Sequence, residues 1–227
     1  HNEQTTDQKI KLNKSKDDLR LYLNGVLQFS SVDEYRYHES LVMVPMTYAN
    51  KIIERVLVLG AGDGLAVREL LKYPEIKQIV LVDLDSRMTE LAMNNAHLTD
   101  INLASLADKK VQIVINDAFV FLKKNNQPFD LIINDLPDPN TIALSRLYSK
   151  QYYQLARENL MYDGLMVTQA TSPFFVRPAF WSIVKTIEAA GFNSTYPYHT
   201  NVPSFGDWGF VLSAIQPIKL TPKRSLK

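Results

Sequence analysis

Cysteine is absent from the 227 residues, so disulfides and thiolate metal sites are excluded and the chain suits a reducing cytosol. Histidine is scarce, with four residues at 1, 38, 97 and 199, and no spacing to Asp or Glu supports a metal site. No serine–histidine–aspartate arrangement suggests itself either. No apolar run approaches the roughly 18 residues of a membrane-spanning helix, and no signal peptide is visible. One-sided charge is missing as well. The 25 Lys and Arg against 24 Asp and Glu leave a net charge of +1. No long basic stripe precedes the short tail of Lys219, Lys223, Arg224 and Lys227, which argues against a general nucleic-acid binder. Internal repeats and low-complexity tracts are lacking. What remains is ordinary globular composition, 46% hydrophobic and 22% charged, enough for one large domain with or without an appendage. A start at His1-Asn2-Glu3 without methionine is expected of a processed or shortened chain.

Glycine is sparse too, yet three of the eight glycines fall within five residues. Arg55–Gly60 reads as a strand of aliphatic residues, Gly60-Ala-Gly-Asp-Gly64 as a turn, and Leu65–Leu71 as the opening of a helix. Such a strand–turn–helix is where α/β proteins lay a nucleotide-like ligand, since glycine admits close backbone approach. The spacing is G-x-G-x-G, and Leu65 occupies the third glycine position of the dinucleotide fingerprint. Asp63 stands inside the turn, where a carboxylate repels a pyrophosphate. The turn therefore suits a nucleoside whose other end is cationic, and sulfonium nucleosides meet that description. A tight turn serving only packing is the competing reading.

Ahead of this turn, residues 8–31 read as extended. Lys9–Asn13 alternates polar and apolar, Asp17-Asp18 makes a turn, Leu19–Leu23 alternates again, and Asn24-Gly25 is a hairpin signal before Val26–Phe29. A small antiparallel sheet is expected. Ser31 with Glu34 forms a capping box, and the helix it opens is expected to end near Pro45, carrying Tyr37 and His38. From residue 52 onward, strand-like runs at 56–59, 78–84, 111–115, 129–134 and 165–169 alternate with helical patterns at 64–73, 86–96, 117–126, 149–160 and 176–190. Asp117 and Ser149 serve as N-caps. Phe174, Phe175, Phe180 and Trp181 are read as core. This rhythm means a parallel sheet covered on both faces. The last runs, 193–200 and 208–214, are joined by a loop too short for a helix and should pair antiparallel. The expected fold is α/β, a Rossmann-like, methyltransferase-type doubly wound sheet with a small N-terminal antiparallel β-sheet. Residues 1–48 hold the hairpin region and its helix, and 49–227 the Rossmann-like catalytic domain.

In an open parallel sheet, ligands bind beyond the carboxyl ends of the strands. Those ends here collect acids: Asp63, then Asp83 and Asp85, then Asp117, then Asp135 and Asp138, with Gln169 ending the fifth strand. Asp83 lies about 20 residues past the glycine turn, where a carboxylate takes ribose hydroxyls. Singly each has a plain reading, such as Asp117 as a helix cap or Asp138 as a turn residue before Pro139. Jointly, four of five strands ending in carboxylates on one edge cost stability unless cations visit. An anionic substrate is disfavoured and a polycation favoured.

Leu21-Tyr-Leu-Asn-Gly-Val-Leu-Gln28, Asp33-Glu-Tyr-Arg-Tyr-His-Glu39, Gly60-Ala-Gly-Asp-Gly64 with Arg68-Glu69, Asn116-Asp-Ala-Phe119, Asp135-Leu-Pro-Asp-Pro139 and Tyr152-Tyr153 occur in that order. This ordered set, spanning about residues 8–214, resembles the polyamine aminopropyltransferases, the spermidine synthase family. The likeness is closest to members whose catalytic domain follows an N-terminal membrane segment. It implies transfer of the aminopropyl group of decarboxylated S-adenosylmethionine, a co-substrate and not a permanently bound cofactor, to a putrescine-like polyamine amine, releasing methylthioadenosine. By matching position, Asp135 is the catalytic base and Tyr37 orients the attacking amine. Gln8, His38, Gly60, Gly62, Asp63, Asp83 and Asp117 bind the donor, with Asp83 on the ribose, Asp117 on the adenine and Asp63 on the aminopropyl ammonium. Asp138, Gln169 and Phe205 bind the acceptor.

The resemblance also implies small-molecule partners, no nucleic acid, and a cytoplasmic place, either free or tethered by a membrane segment outside this sequence. It leaves a homodimer through the N-terminal sheet open. The sequence departs from the family pattern at Ala61 in the turn and at Asp83, where glutamate is usual. Asp7-Gln8 replaces Tyr-Gln, the segment through Asn140 lacks the usual serine and Gly-Pro, and Phe205 stands where a tyrosine commonly contacts the acceptor amine. Two other readings stay open on the residues alone. One is an S-adenosylmethionine-dependent N-methyltransferase, which would need a donor to meet the methionine carboxylate. The other is a non-catalytic polyamine- or nucleoside-binding domain.

Overall fold

Hairpin chemistry sets the first layer. The computed structural model describes residues 1–6, 8–139, 141–219 and 221, so Asp7, Asn140 and the tail cations Lys223, Arg224 and Lys227 lie outside the described residues. Strands Asn2–Gln4 (β1), Lys9–Lys14 (β2), Leu19–Leu23 (β3) and Val26–Ser30 (β4) form an antiparallel sheet in that order. Asn24 and Gly25 take φ of 52° and 82°, the left-handed pair that a type I′ hairpin requires. Period-two alternation buries Ile10, Leu12, Leu19, Leu21 and Phe29. β1 carries no such alternation in its three polar residues, and pairing with β2 alone makes it a strand.

Helix α1 spans Glu34–Tyr48 and corrects two expectations. Its N-cap residue is Asp33, not Ser31. Ser31 Oγ accepts from Leu19 N–H at 2.8 Å and donates to Asp18, while Glu34 is committed to Arg68 and His38. Asp33 instead accepts from Ser204 N–H and Oγ–H at 2.6 and 2.7 Å. The helix also runs through Pro45. A helical proline costs about 3 kcal/mol. Burying Leu41, Val42 and Met46 along the same stretch returns about 1.5–3 kcal/mol each, so packing wins.

The main sheet contains Arg55–Gly60 (β5), Gln78–Asp83 (β6), Val111–Ile115 (β7), Phe129–Asp135 (β8), Leu160–Gln169 (β9), Ser194–Val202 (β10) and Gly206–Ala214 (β11). Its order is β10-β11-β9-β8-β5-β6-β7, with β5 to β9 parallel and the last two antiparallel. The helices are Leu65–Leu70 (α2), Ser86–Asn94 (α3), Ala96–Asn102 (α4), Ala118–Lys124 (α5), Ile142–Ser145 (α6), Lys150–Glu158 (α7) and Arg177–Ala189 (α8). Alternation along β5 sends Val56 and Val58 into one core and Leu57 and Leu59 into the other, so both faces are covered. Ile10, Phe29 and Leu41 share the first of these cores, so residues on both sides of position 48 pack together.

Asp117 and Ser149 cap α5 and α7 as expected, accepting from Val120 N–H at 3.0 Å and Tyr152 N–H at 3.2 Å. The pattern at 86–96 is helical over Ser86–Asn94, and a further helix not expected from the sequence, α4, follows because the Asn95 side chain accepts from His97 and Leu98 N–H. The aromatic reading needs correction. Phe180 is buried with Ile183, Val184 and Ile187 on the inner stripe of α8, whereas Phe174 and Phe175 are 74% and 71% exposed and Trp181 45%. The two phenylalanines sit in the loop after β9, where helical spacing has no meaning. No described helix is long and apolar enough to cross a membrane.

Candidate active site

The chain leaves β5 toward β6 and β7 on one side and returns to β8 on the other, which opens a crevice beyond the carboxyl end of β5. Gly60 lies opposite Asp135 in the β5–β8 register. A Cβ on Gly60 would fall 2.2 Å from the Asp135 carbonyl oxygen, and one on Gly62 would fall 2.5 Å from Asp83 Oδ2. These glycines let two acid-bearing strand ends close on the turn. Ala61 between them takes a left-handed φ of 61°. That conformation costs a residue with a Cβ about 1 kcal/mol. Ala61→Gly is therefore expected to raise stability by about 1 kcal/mol, read as a higher urea midpoint at unchanged slope.

The crevice gathers Asp63, Asp83, Asp135 and Asp138, all half-buried. None of the four forms an ion pair with a lysine or arginine among the described residues. Burial is the main force on each and pushes its carboxyl upward. Asp83 rises to about 6, moderated by the Asp85 N–H bond at 2.9 Å and raised further by Asp63. Asp135 also rises to about 6, pulled down by His38 and by the Tyr37 hydroxyl, and pushed up by Asp63. No group of three His, Asp or Glu side chains among the described residues stands close enough to hold a metal ion. The acids are spread along a crevice, which suits an extended cation.

Helix α1 delivers three side chains to this rim at spacing i, i+3 and i+4, namely Glu34, Tyr37 and His38. The Tyr37 hydroxyl donates to Asp135 Oδ1 in a short bond, and burial beside that carboxylate holds its pKa well above the phenol range. His38 is buried, with Nδ1 donating to Glu34 Oε2 at 2.7 Å and to Glu34 O at 2.9 Å. Burial disfavours its charge, yet the Glu34 carboxylate prevails and lifts its pKa to about 9. Glu34 falls to about 2, because His38 and Arg68 outweigh its own burial. Arg68 on α2 clamps Glu34 with two bonds of 2.7 and 3.0 Å.

These shifts set a pH profile for the ligand-free protein. His38, raised from 6.5 to about 9, contributes stability that is full below pH 6.5 and lost as pH rises through 9. Glu34, lowered from 4.5 to about 2, contributes stability present above pH 4.5 and lost as pH falls through 2. Asp83 and Asp135, raised from 3.8 to about 6, act in the opposite sense and add a cost that grows from pH 3.8 to 6. Thermal unfolding should therefore show stability declining from pH 4.5 toward pH 9, and Asp83→Asn should flatten the acidic part of that decline. A profile flat from pH 5 to 8 would contradict these assignments.

On the far side of β8, Gln169 is only 2% exposed and its amide is fully used within the protein. The two Nε2 hydrogens are shared among three acceptors, Leu136 O at 2.6 Å, Tyr148 Oη at 2.5 Å and Asp138 Oδ1 at 3.2 Å, while Oε1 accepts from Thr171 N–H and Trp208 Nε1–H. Asp138 also accepts from Thr171 Oγ1 at 3.2 Å. Phe205 lies in the loop before β11 with its ring centroid 5.3 Å from Trp208 and 6.4 Å from Tyr37. Asp117 spends one oxygen capping α5 and pairs the other with Arg146 in a short bond. Gln8 sits where the single Thr5 hydroxyl proton has two acceptors in reach, Gln8 O at 3.0 Å and Asp85 Oδ2 at 2.8 Å, linking the N-terminal sheet to the end of β6. Sequence reading missed Glu34, Tyr148, Thr171 and Trp208. Glu34 was legible from its helical spacing to Tyr37 and His38. The other three carry no local signal.

A family model described as the spermine/spermidine synthase domain matches residues 34–222. The chain is 48% identical over 220 residues to a polyamine aminopropyltransferase of Oceanobacillus iheyensis, covering 97% of this chain and 43% of that protein. It is 50% identical over 218 residues to one of Mycobacterium tuberculosis, covering 95% and 40%. The chain thus spans less than half the length of these curated relatives. Among solved structures it is similar to a spermidine synthase in complex with the transition state analogue AdoDATO, with a TM-score of 0.88, 26% identity, and coverage of 95% of this chain and 73% of that one. The spermidine synthase from Thermotoga maritima gives a TM-score of 0.86 at 26% identity, with coverage of 95% and 72%. Since the family model covers most of these residues and the doubly wound sheet is shared at that level, the chain belongs to the spermine/spermidine synthase family.

Proposed function

We propose that this domain transfers the aminopropyl group of decarboxylated S-adenosylmethionine to a primary amine of a putrescine-like polyamine, releasing methylthioadenosine. The observation that carries the proposal is the row of carboxylates at Asp63, Asp83, Asp135 and Asp138, none of which pairs with a lysine or arginine among the described residues. A sulfonium carbon is already activated, so the enzyme must mainly present a neutral amine in line with the C–S bond. The new C–N bond forms as C–S breaks, and the sulfonium leaves as a neutral thioether. An alkyl ammonium is only about a thousandth neutral at pH 7, roughly 4 kcal/mol short of the reactive form. Asp135 takes that proton, with Tyr37 orienting the carboxylate and the amine.

Within the same proposal, Gln8, His38, Gly60, Gly62, Asp63, Asp83 and Asp117 form the donor side. Asp117 reaches the adenine once Arg146 gives way. Asp138 meets the second ammonium of the acceptor, Gln169 holds Asp138 in place, and Phe205 walls the channel without a hydroxyl. Support comes from the family match and from a structural neighbour seen with a transition state analogue. A cytoplasmic place, a homodimer and a membrane tether outside residues 1–227 belong to the proposal on the resemblance alone. Light scattering of the purified chain tests the homodimer. The activity is tested by incubating the chain with decarboxylated S-adenosylmethionine and a panel of amines, with mass spectrometry of the products. Methylthioadenosine with an aminopropylated amine is the expected result. Methylated amine from S-adenosylmethionine, or silence across the panel, would overturn it.

A further inference from the structure

Beneath the rim lies a buried chain of alternating charge that the proposed chemistry does not itself call for. Glu69 and Glu34 are both buried, and Arg68 bridges them, with Nε bonded to Glu69 Oε1 at 2.9 Å and its fork on Glu34. Arg68 Nη1 also donates to Ile101 O at 2.9 Å, and Lys72 closes the outer end on Glu69 at 2.5 Å. At the inner end Glu34 meets His38. Both acceptors of the Nδ1 proton, a carboxylate oxygen and a backbone carbonyl, belong to Glu34, so the ring has one orientation. The groups that face His38 are Glu34 and Tyr37 on its own helix, Asp63 in the glycine turn and Asp135 at the end of β8. Arg68 acts on it through Glu34.

We propose that Glu34 is a positioning residue for the reaction: through His38 Nδ1 it fixes the imidazole ring and its charge within reach of Asp63 and Asp135. With Nδ1–H tied to Glu34, a charged ring carries a second N–H at Nε2, while a neutral ring has only a lone pair there. The chain Lys72–Glu69–Arg68–Glu34–His38 alternates in sign, with Arg68 shared between Glu69 and Glu34 and Glu34 shared between Arg68 and His38, so these groups answer one another and the rim carboxylates stay available for the cations of donor and acceptor. His38 as a standing cation also opposes the upward push that burial and Asp63 exert on Asp135, so that the base is ionised before the acceptor arrives. A neutral group at position 34 would leave a buried imidazole without its counter-charge, and the ring would shed its proton near or below neutral pH.

The kinetic half of this inference rests on the aminopropyl-transfer reading, and the spectroscopic half does not. In Glu34→Gln, the acid limb of kcat/KM should move upward by about one pH unit, since loss of an opposite charge at close range shifts a carboxyl by that order. His38→Gln should move the same limb in the same direction. In 15N-labelled protein, the His38 ring should titrate near pH 9 in the wild type and at least two units lower in Glu34→Gln. Should Glu34→Gln not fold, Glu34→Asp carries both readouts, because its shorter arm falls short of Nδ1. A merely structural Glu34 would lower stability or kcat while leaving the acid limb and the ring titration where they are, and that result overturns the proposal. A wild type without turnover but with the predicted ring titration would sink the functional reading and leave the Glu34–His38 charge coupling standing.

Discussion

Asp135→Asn is expected to cut turnover of the proposed transfer by about 10²–10⁴-fold while leaving donor affinity nearly unchanged. Asparagine keeps the size of the side chain, and its carbonyl still accepts the Tyr37 hydroxyl. It has no capacity to take a proton from an ammonium at neutral pH, so the amine stays in its unreactive form. In the proposed arrangement the donor contacts lie elsewhere, on the turn at Asp63 and the end of β6 at Asp83. The variant should also be more stable than the wild type without ligand at neutral pH. It removes a carboxyl whose pKa stands near 6, so an ionised group held at a cost is gone. A stopped assay for methylthioadenosine, calorimetric titration of the donor and thermal unfolding together check this. Collapse of donor binding would mean that Asp135 holds the donor. Near-normal turnover would place the base elsewhere.

Arg68→Met should be the most damaging change outside the crevice, with an expected loss of about 3–5 kcal/mol. Methionine replaces the buried stem at little cost in packing, but it strands two carboxylates. Glu34 loses both of its Arg68 bonds, and Glu69 keeps only Lys72, whose side chain is largely exposed. Removing one partner of a buried pair is far costlier than removing all of them. The triple change Arg68→Met, Glu34→Gln, Glu69→Gln should therefore recover much of the loss, visible in urea midpoints measured on the four proteins that complete the comparison. A loss below about 1 kcal/mol for the single variant would show that the network is loosely coupled to folding.

Much of this architecture could be read in one dimension. Asn24-Gly25 announced its hairpin because a type I′ turn needs left-handed φ at both central residues, and the aliphatic runs at β5, β6 and β8 announced a sheet buried on both faces. Asp117 and Ser149 were legible as caps since capping is local. The misreadings have local logic defeated by distant partners. Ser31 satisfies every sequence rule for a cap, yet Leu19 and Asp18 take its hydroxyl and leave Asp33 at the helix start. Pro45 should end a helix, but the buried face around Leu41, Val42 and Met46 carries α1 to Tyr48. Phe174 and Phe175 look like core by composition and are largely exposed, because they sit in the turn before α8 and not on its inner stripe of Phe180, Ile183, Val184 and Ile187.

By itself the sequence determined which acids lie at strand ends, that a glycine turn links β5 to α2, and that Tyr37 and His38 share a helical face. Each follows from periodicity or from the short reach of a turn. Only the tertiary structure decided which acids remain without a protein cation, since that depends on side chains far apart in the chain. Asp117 meets Arg146, and Glu34 meets Arg68, while Asp63, Asp83, Asp135 and Asp138 meet no lysine or arginine among the described residues. Asp138 is held by Gln169 and Thr171, and His38 gains its charge from Glu34 braced by α2. Charge in a protein is set by solvent exclusion and by neighbours within a few ångströms, and a linear order of residues specifies neither until the chain has folded.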